Sequence, residues 1–191
     1  SIGHFLETDD DAAVAVQGVV LQSGVASVLD NDSGSDDLVV TFLEAQPVFS
    51  DSAPSVSGSQ GGVFTVFSDG TYEFDPSSIP QSSFPQNGAR FFTSAQYTAC
   101  VSSDTSECSA SLLTVEVLYA VAVDDSNTAL FAGQVSGSVL GNDFGSNVGP
   151  AAGGFLLVTE VQDGQDGTVV SAVPTGAATP SASVSGNNGG V

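Results

Sequence analysis

The chain of 191 residues sets 22 acidic side chains against a single Lys or Arg, a formal net charge of −21, while 41% of its residues are hydrophobic. This balance excludes nucleic-acid backbone and anionic membrane surfaces as ligands, because neutralising phosphate takes Lys and Arg in number; it also excludes disorder, which pairs high charge with few apolar residues. The carboxylates therefore sit on a folded surface and repel one another, a repulsion that salt or divalent cations relieve, so a saline, calcium-containing exterior is the expected setting.

Short runs of Val, Thr, Phe and Ile alternating with Ser, Asp and Gly, and broken by Gly, Asn, Asp and Pro, predict an all-β fold. In chain order, strands are predicted near Ala13–Val16, Gly24–Val28, Leu38–Glu44, Gly62–Phe67, Thr71–Phe74, Arg90–Val101 and Ser109–Leu118, the seven of an immunoglobulin-like sandwich. Asp69-Gly70 lies between two aromatic-rich runs and predicts a tight hairpin turn, since both residues accept positive φ. Cys100 and Cys108 flank the polar turn Ser102–Glu107 and are well placed to pair across a hairpin, with two free buried thiols as the alternative. A pair would mean an oxidising compartment. The apolar run Leu112–Val123 then passes into Asp124-Asp125 without a Gly/Pro linker, predicting a short, stiff junction. Beyond it, strands are expected near Thr128–Phe131, Gly137–Leu140, Phe155–Val161 and Thr168–Val173, with loops over 147–154 and 175–190. No apolar run reaches the roughly 18 residues of a membrane-spanning helix and no leader is visible, so the segment reads as soluble and mature.

One signature occurs twice. Asp9-Asp10-Asp11 followed by Val28-Leu29-Asp30-Asn31-Asp32 returns as Asp124-Asp125 followed by Val139-Leu140-Gly141-Asn142-Asp143, a period of 124 minus 9, or 115 residues. That is one sandwich and far more than a solenoid repeat. A second echo, Ser55–Val63, returns as Ser183–Val191. The division expected is an N-terminal segment 1–8, a first sandwich 9–122 and a partial second one 123–191, its missing strands to be completed from elsewhere.

These motifs resemble the bacterial cadherin-like, or VCBS-type, immunoglobulin-like repeats of large adhesins and surface proteins. The matching stretches are Thr8-Asp9-Asp10, Val28–Asp32, Asp69–Pro76, Phe92–Tyr97 and Thr114–Val117, with Ala122–Asp125 and Asn142-Asp143 in the second unit. The resemblance implies tandem β-sandwich modules, the second incomplete, in extracellular spacers or matrix elements rigidified by Ca2+ at module junctions. A hard cation takes oxygens from Asp and Asn on loops. The candidate ligands are Asp9, Asp10, Asp11, Asp30, Asn31 and Asp32 in the first unit and Asp124, Asp125, Asn142 and Asp143 in the second, with Asp104 and Glu107 added if their turn lies at the junction. The competing reading is that the Asp-Asp and Asn-Asp pairs simply make Asx turns, and Asp36 and Asp37 are read as solvated.

Catalysis is not expected. An acyl-transfer triad needs a His held beside a nucleophile, and the one His, His4, lies at the chain start; no carboxylate pair sits in an aromatic cleft with Trp for sugar stacking. Arg90 is expected to pair with a carboxylate or to lay its stem on apolar surface. The function expected is that of a non-enzymatic extracellular structural protein whose copies assemble into a fibre, sheath or surface layer. Ile2, Phe5 and Leu6 would be the apolar residues of a strand donated to a neighbour. The alternatives are stalk repeats of a large cell-surface adhesin, or a carbohydrate- or receptor-binding sandwich using Phe84, Phe91 and Phe92.

Overall fold

Strands whose side chains alternate between apolar and small polar bury one face each and need a second sheet to cover it. The computed structural model describes residues 5–126, 142–146, 160–162 and 169–171, and they are all-β, with helix confined to two 3₁₀ turns at Pro76–Ser78 and Gln81–Ser83. The strands are β1 (Leu6–Glu7), β2 (Asp11–Val16), β3 (Leu21–Gln22), β4 (Ser33–Gly34), β5 (Leu38–Leu43), β6 (Gln46–Pro47), β7 (Ser55–Ser57), β8 (Val63–Val66), β9 (Tyr72–Asp75), β10 (Phe91–Val101), β11 (Asp104–Leu118), β12 (Ala120–Val121), β13 (Phe144–Gly145), β14 (Glu160–Gln162) and β15 (Val169–Ser171). The first eleven give a sandwich. One sheet has the order β2-β11-β10-β5-β6 and the other β3-β9-β8-β7, with β1 and β4 as a separate two-stranded ribbon.

Between the sheets lies a core of Val40, Leu43, Phe64, Val66, Phe74, Tyr97, Leu113, Val115 and Val117, all essentially buried. Phe64 and Phe74 face each other across β8 and β9, with ring centroids 4.6 Å apart. Their turn closes as expected at Asp69-Gly70: Asp69 Oδ1 accepts from the Thr71 N–H, and Gly70 sits at φ +82°, where an added Cβ would lie 2.1 Å from Ser27 Oγ. β11 is the central connector, antiparallel to β10 from Phe91↔Val117 to Cys100↔Cys108 and parallel to β2 from Leu113↔Asp11 to Leu118↔Val16.

The predicted strand at Gly24–Val28 is not formed. The strand of that region is β3, which pairs with β9, and the chain then turns through Gly24 at φ +67°, leaving Val25 fully exposed. Val28 still reaches the core, because its N–H donates to Gly70 O at 2.9 Å and its side chain points inward. Of the strands expected after residue 126, those near 128–131 and 137–140 lie outside the described residues, as do the loops expected at 147–154 and 175–190. The other two are represented by β14 and β15, an antiparallel pair.

Cys100 and Cys108 form a disulfide directly across the β10–β11 hairpin, with Cα atoms 4.1 Å apart. Closing so short a loop constrains the unfolded chain by roughly 2–3 kcal/mol in the chain-entropy account. Reduction is expected to remove about that much stability, read as a lower urea midpoint; an unchanged midpoint would mean that the eleven-residue β10 ladder already fixes the hairpin.

Candidate functional site

The first acidic signature folds into a compact loop cluster at one end of the sandwich. Asp9–Asp11 leads into β2 and Val28–Asp32 is the segment before β4, and main-chain groups of each bond side chains of the other. The Asp9 N–H donates to Asp32 Oδ1 at 2.9 Å, and Asn31 Nδ2 donates to Asp10 O at 3.3 Å. Asp10 Oδ1 accepts from the Leu112 N–H on β11, and Asp30 Oδ2 accepts from the Ser27 N–H. Below them lies Tyr97 of β10, fully buried, whose hydroxyl hydrogen has Val28 O at 3.0 Å, Asp9 O at 3.3 Å and Asp32 Oδ2 at 3.3 Å within reach. The cluster is a clasp that ties the entry of β2 to the loop before β4, with Tyr97 as its floor.

Oxygen acceptors outnumber donors in the clasp. Asp11 Oδ2 is buried with no hydrogen-bond partner. Desolvation, with the charges of Asp32 and Asp10 adding to it, pushes the Asp11 carboxyl from its ordinary 3.8 up to about 6, even though Tyr97 and Asn31 bond it. Burial likewise raises Asp32 and holds the Tyr97 hydroxyl protonated far above the usual tyrosine range. Such a group destabilises the fold when ionised, fully so above about pH 6, and the penalty lifts as the folded protein takes up its proton between pH 6 and 4. At most the effect is about 3 kcal/mol, and solvent access to this partly exposed carboxylate leaves roughly half of that. Asp69, Asp75 and Glu116 are lowered, chiefly by the Thr71 side chain, the Ser77 N–H and Arg90 respectively, so their stabilisation is lost on acidification below their ordinary range. The unfolding midpoint is therefore expected to rise from pH 7.5 to about 5 and fall again below 4. Asp11→Asn should flatten the upper limb, and an unaltered limb in that variant would remove Asp11 from the account.

The second signature makes the same bonds. The Val123 N–H donates to Asp143 Oδ1 at 2.8 Å, and Asn142 Nδ2 donates to Asp124 O at 3.2 Å. The ribbon recurs with it: β12 pairs with β13 through Ala120↔Gly145 and Val121↔Phe144, as β1 pairs with β4 through Leu6↔Gly34 and Glu7↔Ser33. Ser146 N donates to Tyr119 O at 2.9 Å, as Ser35 N does to Phe5 O at 3.0 Å. These pairings match Asp124 to Asp10, not to Asp9, so the offset is 114 at the start of the signature (124 minus 10) and 111 at its end (143 minus 32). An acceptor is left over here as well, the buried Asn142 Oδ1.

Between the two signatures lies an aromatic stack. Tyr119, 5% exposed, stacks on Phe84 at 4.5 Å and meets the edge of Phe144 at 6.4 Å, while Phe84 packs against Phe91 at 4.9 Å. The Tyr119 hydroxyl has Ala89 O at 2.7 Å and Pro85 O at 2.9 Å as acceptors. Phe84 and Phe91 are thus core, and Phe92 is the exposed member of the predicted group. Sequence reasoning placed Tyr97 in a strand motif and did not single out Tyr119 or Phe144; a tyrosine two residues before an acidic signature's ribbon partner was the available signal.

Other predicted residues are placed as follows. Among the described residues no three His, Cys, Asp or Glu side chains are grouped to hold a metal ion. Asp104 and Glu107 do not join the second signature, because β11 runs fifteen residues, about 45 Å, from their turn to Leu118. Their turn lies beside the first signature instead, where Ser109 Oγ and Thr8 Oγ1 are 2.7 Å apart. Asp36 and Asp37 are exposed. Arg90 donates through Nε and Nη2 to Glu116 and lies over the Phe92 ring. Leu6 is in the β1–β4 ribbon within its own chain, Phe5 is 56% exposed, and Ile2 and His4 lie outside the described residues. No protein-family model matches the sequence, and no curated protein matches it significantly.

Proposed function

We propose that the chain is a non-enzymatic structural segment of an extracellular protein, built of serial immunoglobulin-like sandwiches of the cadherin-like kind and assembled with copies of itself into a fibre, sheath or surface layer. The observation that carries this reading is the repeated set of clasp and ribbon bonds, one set at the entry of the sandwich and one where the chain leaves it. The disulfide suits an oxidising exterior, and the net charge of −21 suits a saline one. An adhesin stalk is the second reading, favoured by the aromatic stack that joins one unit to the next without a flexible linker. A glycan-binding face has less to stand on with Phe84 and Phe91 spent in the core.

Calcium belongs to this proposal as a weak counter-ion of the clasps. The leftover oxygens, Asp11 Oδ2 and Asn142 Oδ1, are the acceptors that a cation would use, with the exposed Asp9, Asp10 and Asp30 around the first; the others are engaged by N–H groups, which argues for millimolar affinity. At pH 7.5, calcium at ten times its dissociation constant is expected to stabilise the chain by about 1.4 kcal/mol. At pH 5 a protonated Asp11 should leave much less, and equal effects at both pH values would reduce calcium to general screening. Assembly is tested by electron microscopy of native material with and without chelator, beside a denaturing gel. Regular fibres from a polypeptide near 19 kDa support subunit assembly; a very large polypeptide supports the stalk.

A further inference from the structure

The ribbon that opens the first sandwich and the ribbon that follows it are equivalent bond by bond, but one is covered and the other bare. Phe5 stands where Tyr119 stands: each offers its carbonyl to a serine N–H, Ser35 and Ser146, and each precedes a two-residue strand paired antiparallel to a strand that follows an Asn-Asp. Tyr119 is 5% exposed, held in a socket of Phe84, Pro85 O and Ala89 O at the far end of the sandwich. Phe5 is 56% exposed with no such socket around it.

We infer that the Phe5 end of the β1–β4 ribbon is a docking surface for the Phe84-lined end of a second copy of this sandwich, supplied directly ahead of Phe5 in the polypeptide. Two observations fix the occupant. The established contact of Tyr119 shows what covers this ribbon when it is covered, and it is the end of a sandwich from which the chain has just emerged, Tyr119 following Leu118 of β11. The Phe84 socket of each chain is already filled by its own Tyr119, so a separate molecule of this chain has no open socket of this kind among its described residues. Phe5 therefore acts as a plug and not as a strand to be donated: β1 keeps its partner β4 while its leading aromatic enters the neighbour. The inference rests on the reading of the chain as serial modules.

The test extends the full chain with an extra copy of residues 5–118 placed so that Leu118 is followed directly by Phe5. Amide exchange is then read at Ser35, which reports the new junction, and at Ser146, which reports the natural one. Exchange at Ser35 is expected to slow by about tenfold relative to the unextended chain, to return to its original rate in Phe5→Ala, and to slow further in Phe5→Tyr, which restores the hydroxyl that Tyr119 donates. An unchanged Ser35 beside a protected Ser146 overturns the docking surface and leaves the serial reading standing. Rapid exchange at Ser146 in the unextended chain would overturn both.

Discussion

Tyr97→Ala is expected to destabilise the protein by about 4 kcal/mol and Tyr97→Phe by about 1–2 kcal/mol. The ring is fully buried, and deleting a buried aromatic removes its transfer free energy and leaves a cavity, about 3–5 kcal/mol in all. The hydroxyl adds a separate amount: it is the donor that Val28 O and Asp32 Oδ2 share beneath the clasp, and removing it leaves buried acceptors unsatisfied. The two variants differ in how they depend on pH. With the hydroxyl gone, Asp11 and Asp32 lose the hydrogen bond that favours their ionised forms, so Tyr97→Phe should cost more at pH 7.5 than at pH 5. Urea unfolding at both pH values checks this, and a Tyr97→Phe cost that is the same at each would mean that the hydroxyl serves the Val28 carbonyl alone.

Much of the fold is legible in the sequence wherever local chemistry decides it. Asp69-Gly70 forces the β8–β9 hairpin because a Cβ at Gly70 has nowhere to go, and the two cysteines lie opposite each other because β10 and β11 run in register to the hairpin's end. Periodicity fails where anchoring comes from elsewhere. Val25 and Val28 resemble a strand, yet one is solvated and the other is held by Gly70, whose place in space the local sequence does not state. β7 was missed because Ser55-Val56-Ser57 offers one half-buried valine between two exposed serines, too little apolar surface to signal a strand. The repeated signature is visible in one dimension, but three aspartates in a row leave its register ambiguous by one residue, and the bond from Asn31 to the Asp10 carbonyl decides it. Its partner Tyr97 lies on a strand 65 residues beyond Asp32; a clasp assembled across that separation is a property of the sheet order.

Tyr119→Ala is expected to cost about 3 kcal/mol and, more tellingly, to release the ribbon that follows it. The mutation removes the stack on Phe84, the edge contact with Phe144 and the hydroxyl shared by Pro85 O and Ala89 O, losses that combine aromatic burial with a buried hydrogen bond. It leaves the main-chain pairing of Ala120 and Val121 with Phe144 and Gly145 available. A two-stranded ribbon of two residues per strand has little stability of its own, so without the aromatic anchor the Ser146 amide should exchange far faster, while amides of the β10–β11 ladder change only by the global loss. Tyr119→Phe, which keeps the stack, should cost about 1 kcal/mol and leave Ser146 largely protected. Should Tyr119→Ala leave Ser146 as slow as before, the junction would be held by its clasp bonds from Asp143 and Asn142. Stiffness between successive units would then reside in the acidic signature and vary with pH and calcium, whereas a junction held by the aromatic stack would be indifferent to both.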